Sequence, residues 1–532
     1  MTTGAQPAGI KALDWRFLLP TPAEGRFSRL VLAGASDAVA GLVEDSGIAD
    51  EVDRNLDGRG QANAVACLGG TPDVGRALAT LADGGVLYLE LDRRLGRNSL
   101  ARTVRQLMDR GVRMPTLYWA HPGFKHAHVY LPLQSPGAVD WYFETLFVVT
   151  TARARLLTKP VRAAASLLRG RLAPFLPHVS VVGVAGDEKP TPSVLSSPAL
   201  PPAVGHPDAR PLVLMSGGEW SRVILFPFAP GARRPLAAVK LWRLQGREEH
   251  LERERKGQEL VRELLDASLR DAVPKPLGTV EWSGLVGNVE ECARGHWVFA
   301  RRHRRERLSS RIQELEAVAG WLTSFNANAQ IDRGPWNDED VGRWVEEPID
   351  AFQRAFTPAP GEARLFSAAT ARAHELTGVR LPFVWCHNDF SELNLYCELD
   401  AVGVVDWETI APGLPTSDLL HYVQRWFFRS QRATRDESRS FASLFLSPPA
   451  HGRAVDAAQA ALRAYSTRLQ IDERFFSLLL TTEWIRRGVA RHGRSQSSAA
   501  PSARRNRFAE YVAILAQHVP TLFERPYRWE QR

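Results

Sequence analysis

The chain has 532 residues, too many for one ordinary core; at about 150 residues per domain the length predicts three to four globular units. Apolar residues make up 44% and charged residues 24%, which excludes wholesale disorder, and no apolar run approaches the roughly 20 residues of a membrane-spanning helix. The net charge of +8 comes almost wholly from arginine, since Lys11, Lys125, Lys159, Lys189, Lys240, Lys256 and Lys275 are the only lysines. With no nucleic-acid-reading motif beside it, that surplus reads as composition, and no nucleic-acid partner is expected. Met1 to Lys11 lacks the basic, apolar and small-residue succession of a secretory leader. Cys67, Cys292, Cys386 and Cys397 have no C-x-x-C spacing, which argues against a disulfide framework and a zinc site. A cytoplasmic setting is expected.

Residues 1–26 read as an N-terminal extension. Residues 27–187 alternate strands with helices: Leu30 to Ala33 a strand, Ala38 to Glu44 helical, Ala64 to Leu68 a strand, then a helix capped by Thr71 with Pro72 at its first position. Gly85 to Leu91 is the strongest strand, and further apolar runs lie at His128 to Leu133 and Val179 to Val184. This alternation predicts an α/β, Rossmann-like domain with a mostly parallel sheet. LADGGVLYLEL resembles the later half of a class I methyltransferase, but the first loop, Ala33-Gly34-Ala35-Ser36-Asp37, has one glycine where that family has several. Two readings stay open: an S-adenosylmethionine site with Gly34 and Asp37 as its candidates, or a degenerate domain without cofactor. Residues 151–176 interleave leucines with Arg153, Arg155, Arg162, Arg169 and Arg171; such a helix packs on its own domain or makes peripheral membrane contact. Residues 188–210, rich in Pro, Ser and Ala, read as a linker.

Beyond the linker, Leu212 to Leu214 and Arg222 to Phe226 frame a hairpin whose turn carries Gly217 and Gly218. Ala237 to Leu241 is an apolar strand holding Lys240, either an edge lysine or a charge facing a ligand. A charged helix follows over Arg247 to Leu264, with Glu254 nominated to pair with Lys240 and Glu252 and Glu259 as competitors. Arg301, Arg302, Arg304, Arg305 and Arg307 form a run that reads as a solvated face or as a site for phosphate or an acidic substrate. Arg311 to Phe325, Ala368 to Leu376 and Phe475 to Val489 have helical spacing. His492 to Arg505 reads as a surface loop.

Val384 to Tyr422 carries the chemistry. His387, Asp389 and Asn394 share a loop after an apolar strand; Leu395 to Cys397 and Val402 to Val405 then form a hairpin turning near Asp400, with Asp406 at its end. Phosphoryl transfer needs oxygen ligands for a hard divalent cation and a separate carboxylate for the attacking hydroxyl's proton. Asn394 with Asp406 suits the first task and Asp389 the second, with His387 bracing the loop. H-x-D-x-x-x-x-N, a hairpin, then Asp406-Trp407-Glu408 and Asp418-Leu419 is similar to aminoglycoside phosphotransferases and choline kinases, relatives of the protein kinases. That resemblance implies an α+β bilobal protein-kinase-like domain, with residues 211–298 as N-lobe and 299–532 as C-lobe. It implies Asp389 as catalytic base, Asn394 and Asp406 as Mg2+ ligands and Asp418 as a structural brace. It further implies ATP held by Lys240 with Glu254, by Gly217 and Gly218, and by backbone at an interlobe hinge of Glu290, Glu291 and Cys292. A kinase for a small-molecule hydroxyl is the first expectation. A catalytically silent scaffold and a bifunctional methyltransferase-kinase are the alternatives.

Overall fold

The computed structural model describes residues 10–21, 25–56, 60–69, 72–92, 99–112, 115–147, 173, 176–186, 193–195, 200–202, 204–206, 208–215, 222–246, 248–301, 307–398, 401–431, 436–446, 452–496 and 506–524. Thr71, nearly all of 151–176, Gly217, Gly218 and most of the arginine run lie outside them. Two compact units form: Met1–Arg255 with Pro274–Cys292, and Lys256–Val273 with Ala293–Arg532.

The first unit is built on β1 (Phe27–Ala33), β2 (Ala49–Asp53), β3 (Ala62–Cys67), β4 (Leu81–Asp92), β5 (Thr116–His121), β6 (Val129–Pro132), β7 (His178–Val184), β8 (Arg210–Met215), β9 (Arg222–Phe228), β10 (Ala238–Trp242), β11 (Pro276–Trp282) and β12 (Leu285–Glu290). They join in one 12-stranded sheet, ordered β2-β1-β3-β4-β7-β5-β6-β8-β9-β10-β12-β11. The first four strands in that order pair in parallel and the rest antiparallel. The expected Rossmann-like part therefore does not form a sheet of its own. β6 pairs with β8 through Val129↔Leu214 and Tyr130↔Val213, so the edge it would otherwise present is covered by the next hairpin.

In the parallel half, β1, β3 and β4 fall where the residue pattern puts strands, and β2 does not. Asp37–Asp45 is helical under a Ser36 cap, and Val74–Thr80 is capped by Asp73. The N-terminal extension contributes to the core: Ile10–Leu18 is a short helix whose Trp15 stacks on Tyr88 at 5.0 Å. Asp14, itself buried, accepts from both Nε and Nη2 of Arg243 at 2.8 Å, a fork-on-carboxylate geometry suited to a buried pair.

The second unit is mainly helical. Leu308–Asn328, Glu362–Glu375, Ser417–Ser430, Arg453–Arg468 and Phe476–Gln496 pack around Leu315, Leu322, Phe325, Tyr422, Phe427 and Trp484, all buried. His492 to Gln496, expected in a loop, continues the helix that starts at Phe476. Two small sheets lie in the unit. β13 (His296–Trp297), β16 (Leu395–Glu398) and β17 (Ala401–Val404) form one; β14 (Gln330–Ile331), β15 (Phe383–Cys386) and β18 (Ala411–Gly413) form the other. Among the described residues no helix is long and apolar enough to cross a membrane.

Candidate active site

β15 ends at Cys386, held by antiparallel pairing to β14 and β18, and the chain then leaves regular structure for residues 387–394. Side chains fix this loop where no ladder does. Asp418, in the first turn of Ser417–Ser430, accepts from the His387 and Asn388 backbone N–H groups at 2.6 and 3.0 Å. Burial pushes the Asp418 carboxyl above its usual range, against the pull of His387 and Arg487. Thr409 Oγ1 donates to the His387 carbonyl at 2.7 Å, and Asn388 Nδ2 donates to the Thr409 carbonyl at 2.8 Å. His387 is fully buried; its Nε2 lies 2.9 Å from the Val405 carbonyl and its Nδ1 3.3 Å from the Asp389 N–H. A carbonyl can only accept and an amide only donate, so the proton belongs on Nε2. The imidazole thus ties the Asp389 backbone to the end of the hairpin, the bracing role expected of it.

The hairpin pairs Leu395↔Val404, Tyr396↔Gly403, Cys397↔Val402 and Glu398↔Ala401, and the Val405 N–H donates to the Asn394 carbonyl at 3.0 Å. Asn394 and Asp406 therefore leave the same end of one strand pair, as the spacing predicts. Asn394 Nδ2 donates to the Asp389 carbonyl at 3.0 Å and to Asp389 Oδ2 at 3.2 Å. With its amino group turned to Asp389, the amide offers Oδ1 as its remaining donor atom to a cation. Asn388 and Asp406 sit at φ 63 and 69, a left-handed conformation that Asn and Asp tolerate best among residues with a Cβ. An amide oxygen and a carboxylate are hard donors and fit a magnesium ion that takes its other ligands from phosphate and water. Among the described residues no cluster of three or more His, Cys, Asp or Glu side chains could hold a metal unaided.

Trp407 follows, fully buried, with its ring 4.5 Å from that of His387 and its Nε1 donating to the Val404 carbonyl at 3.0 Å. Gly257, inside the helix Glu248–Leu264, lies against it: a Cβ there would stand 2.2 Å from the Trp407 carbonyl oxygen. A helix-interior glycine normally costs about 1 kcal/mol against alanine. Here it is required by the close approach.

In the first unit, Lys240 on β10 is buried and its Nζ donates to Glu254 Oε1 at 2.6 Å. Glu254 is the carboxylate nominated fourteen positions downstream; Glu252 pairs with Arg255 on its own helix. Two partners escaped the sequence reading. Arg222 on β9 also pairs with Glu254, and Glu290 Oε1 lies 2.7 Å from Lys240 Nζ. Glu290 was expected to act through its backbone at a hinge; its side chain turns to the lysine. Its strand register explains this, because Glu290 closes β12 opposite Ala238, two residues from Lys240. The Glu291 N–H is occupied by the Lys275 carbonyl at 2.9 Å, so it is not an open donor for a base, and Cys292 is half-buried beside it.

Gly34 and Asp37, the candidates for S-adenosylmethionine, lie after β1 and at the start of the helix Asp37–Asp45. Gly34 has φ +76, and a Cβ there would meet the Leu68 carbonyl oxygen at 2.2 Å, so the glycine answers a demand of strand packing. Asp37 is exposed and ion-paired with Arg54.

The match to a family model described as "Phosphotransferase enzyme family" spans residues 135–439, more than half of the chain. Solved structures to which the chain is similar in part include a choline/ethanolamine kinase family protein from Mesorhizobium loti (11% identity, 63% of this chain and 93% of that one, TM-score 0.37). Others are a glucosamine kinase bound to glucosamine, ADP and phosphate (15%, 59% and 80%, 0.32) and an aminoglycoside phosphotransferase from Streptomyces rimosus (16%, 52% and 92%, 0.29). A comparison with curated protein sequences finds no match. The family match spans Lys240, Glu254 and the whole of 387–418, and with it the chain belongs to the phosphotransferase enzyme family.

Proposed function

We propose that the chain transfers the γ-phosphoryl group of ATP to a hydroxyl of a small molecule such as a sugar or amino alcohol. The observation that carries this reading is the Asn394 amide bound to both the carbonyl and the carboxylate of Asp389, on a loop pinned by Asp418 and His387. Asp389 accepts the acceptor's hydroxyl proton while the new O–P bond forms and the bond to the ADP oxygen breaks. Asn394 Oδ1 and the Asp406 carboxylate would hold Mg2+, which when bound neutralises charge on the phosphates. Lys240, oriented by Glu254, supplies a positive charge for phosphate oxygens. The packing of 387–394 against Thr409, Val405 and Asp418 holds the base in one geometry before substrate arrives, and positioning provides most of the catalysis in this chemistry.

Purified protein is expected to consume ATP in a magnesium-dependent manner with at least one member of a panel of polyols, amino sugars and amino alcohols. Mg-ATP at millimolar concentration is expected to raise its melting temperature, since a ligand that binds only the native state stabilises it. Turnover that persists in Asp389→Ala removes Asp389 from the base role. No thermal shift with Mg-ATP favours the scaffold.

A further inference from the structure

Glu392 lies between the proposed base and the proposed metal ligand, three residues after Asp389 and two before Asn394. It is 1% exposed, so its charge needs partners inside the protein. Arg425 Nη2 donates to its Oε1 at 3.0 Å, and Arg429 pairs with the same oxygen. These arginines stand four apart on Ser417–Ser430, hence on one face of that helix, and the Glu392 carbonyl accepts the Phe299 N–H at 3.0 Å. The same helix carries Asp418, which holds the start of the loop. One rigid element thus grips the loop before Asp389 and again after it.

We infer that Glu392 is a positioning residue for phosphoryl transfer: through Arg425 and Arg429 it sets the placement of Asp389 relative to Asn394 without touching substrate. This rests on the reading of Asp389 as the base. A buried carboxylate shared by two arginines is an expensive way merely to fill space, because well-packed apolar residues stabilise as well or better. It specifies geometry instead, since the Arg425 guanidinium donates to one carboxylate oxygen, with Arg429 paired beside it, on a loop with no ladder of its own. Trp297 Nε1, donating to the Leu393 carbonyl at 2.7 Å, completes the restraint on that side.

Glu392→Gln keeps the side chain's length and removes its charge; Glu392→Asp keeps the charge and shortens the reach. Both variants of the full chain are compared with wild type for kcat, for KM of Mg-ATP, for melting temperature and for amide hydrogen exchange over 387–394. Partners that orient a reacting group are worth about 10- to 100-fold in activity. The expected result is a loss of kcat in that range, KM for Mg-ATP within about threefold of wild type, and faster exchange confined to 387–394. A folded Glu392→Gln with wild-type kcat, or exchange raised evenly across the second unit, overturns the inference. If Glu392→Gln does not fold, the same criteria apply to Glu392→Asp. The two proposals separate cleanly. An inactive Asp389→Ala beside a fully active Glu392→Gln overturns the positioning role alone. Absent turnover in wild type refutes the function and leaves the exchange measurement to judge the loop.

Discussion

Asp418→Asn is the substitution that most directly loads the support of the candidate site. The native carboxylate, 3% exposed, uses one oxygen on each of two backbone N–H groups, at 2.6 Å to His387 and 3.0 Å to Asn388. An amide of the same size can accept only one of them and must point its NH2 at the other. One charge-assisted bond, about 1.5–3 kcal/mol, is lost, and a buried N–H left unsatisfied adds about 1–3 kcal/mol. Removing a buried charge returns part of this, because burial already disfavours the ionised form. The net expectation is a destabilisation of roughly 3 kcal/mol, read as a melting midpoint lower by about 5–10 °C. Because the lost bond anchors the two residues before Asp389, kcat should fall about 100-fold at temperatures where the variant is fully folded. A variant that melts within a degree of wild type and turns over normally would refute the view that Asp418 holds the loop.

Glycine substitutions test the packing beside Trp407. Gly257→Ala should destabilise by about 1–3 kcal/mol through overpacking, whereas Gly320→Ala, on a helix with nothing within 4 Å of the added carbon, should stabilise by about 0.5–1 kcal/mol. Thermal melts of the pair check this, and equal shifts of the same sign contradict it. Glu90 provides a pH test: it is 7% exposed and accepts the Gly69 N–H at 2.9 Å, yet burial pushes its carboxyl up to about 7 from 4.5. A raised carboxyl makes the folded state bind the proton more tightly than the unfolded one. Its contribution is therefore present below about pH 4.5 and is lost as pH rises through about 7. Glu90→Gln should flatten the stability profile across that window, removing a fall of up to roughly 3 kcal/mol followed by denaturant titration; an unchanged profile counts against the assignment.

What was legible before the structure was local chemistry in a tight spacing. His387, Asp389, Asn394 and Asp406 fall within a loop and a hairpin whose apolar alternation is itself readable, so their convergence follows from strand period and turn length. Lys240 and Glu254 were legible for a related reason, a lone lysine in an apolar strand with a charged helix next in the chain. Hidden partners sit far away in sequence. Arg425 reaches Glu392 across 33 positions, and Arg243 reaches Asp14 across 229. β2 was missed because Ala49–Asp53 is an edge strand with mostly charged residues; β5, with Leu117, Tyr118, Trp119 and Ala120, was missed although its residues favour a strand. The joining of β6 to β8 depends on register between segments on either side of the stretch read as a linker, which no local pattern encodes.

The central claim is that Asp389 takes a proton from an acceptor hydroxyl as the phosphoryl group moves. The most direct measurement is the single-turnover rate of phosphate transfer from Mg-ATP to an accepted alcohol, comparing wild type with Asp389→Asn at matched nucleotide saturation. A positioned general base contributes about 100- to 10,000-fold, so the account predicts a loss in that range with Mg-ATP binding retained. Transfer by Asp389→Asn within a few-fold of wild type contradicts it.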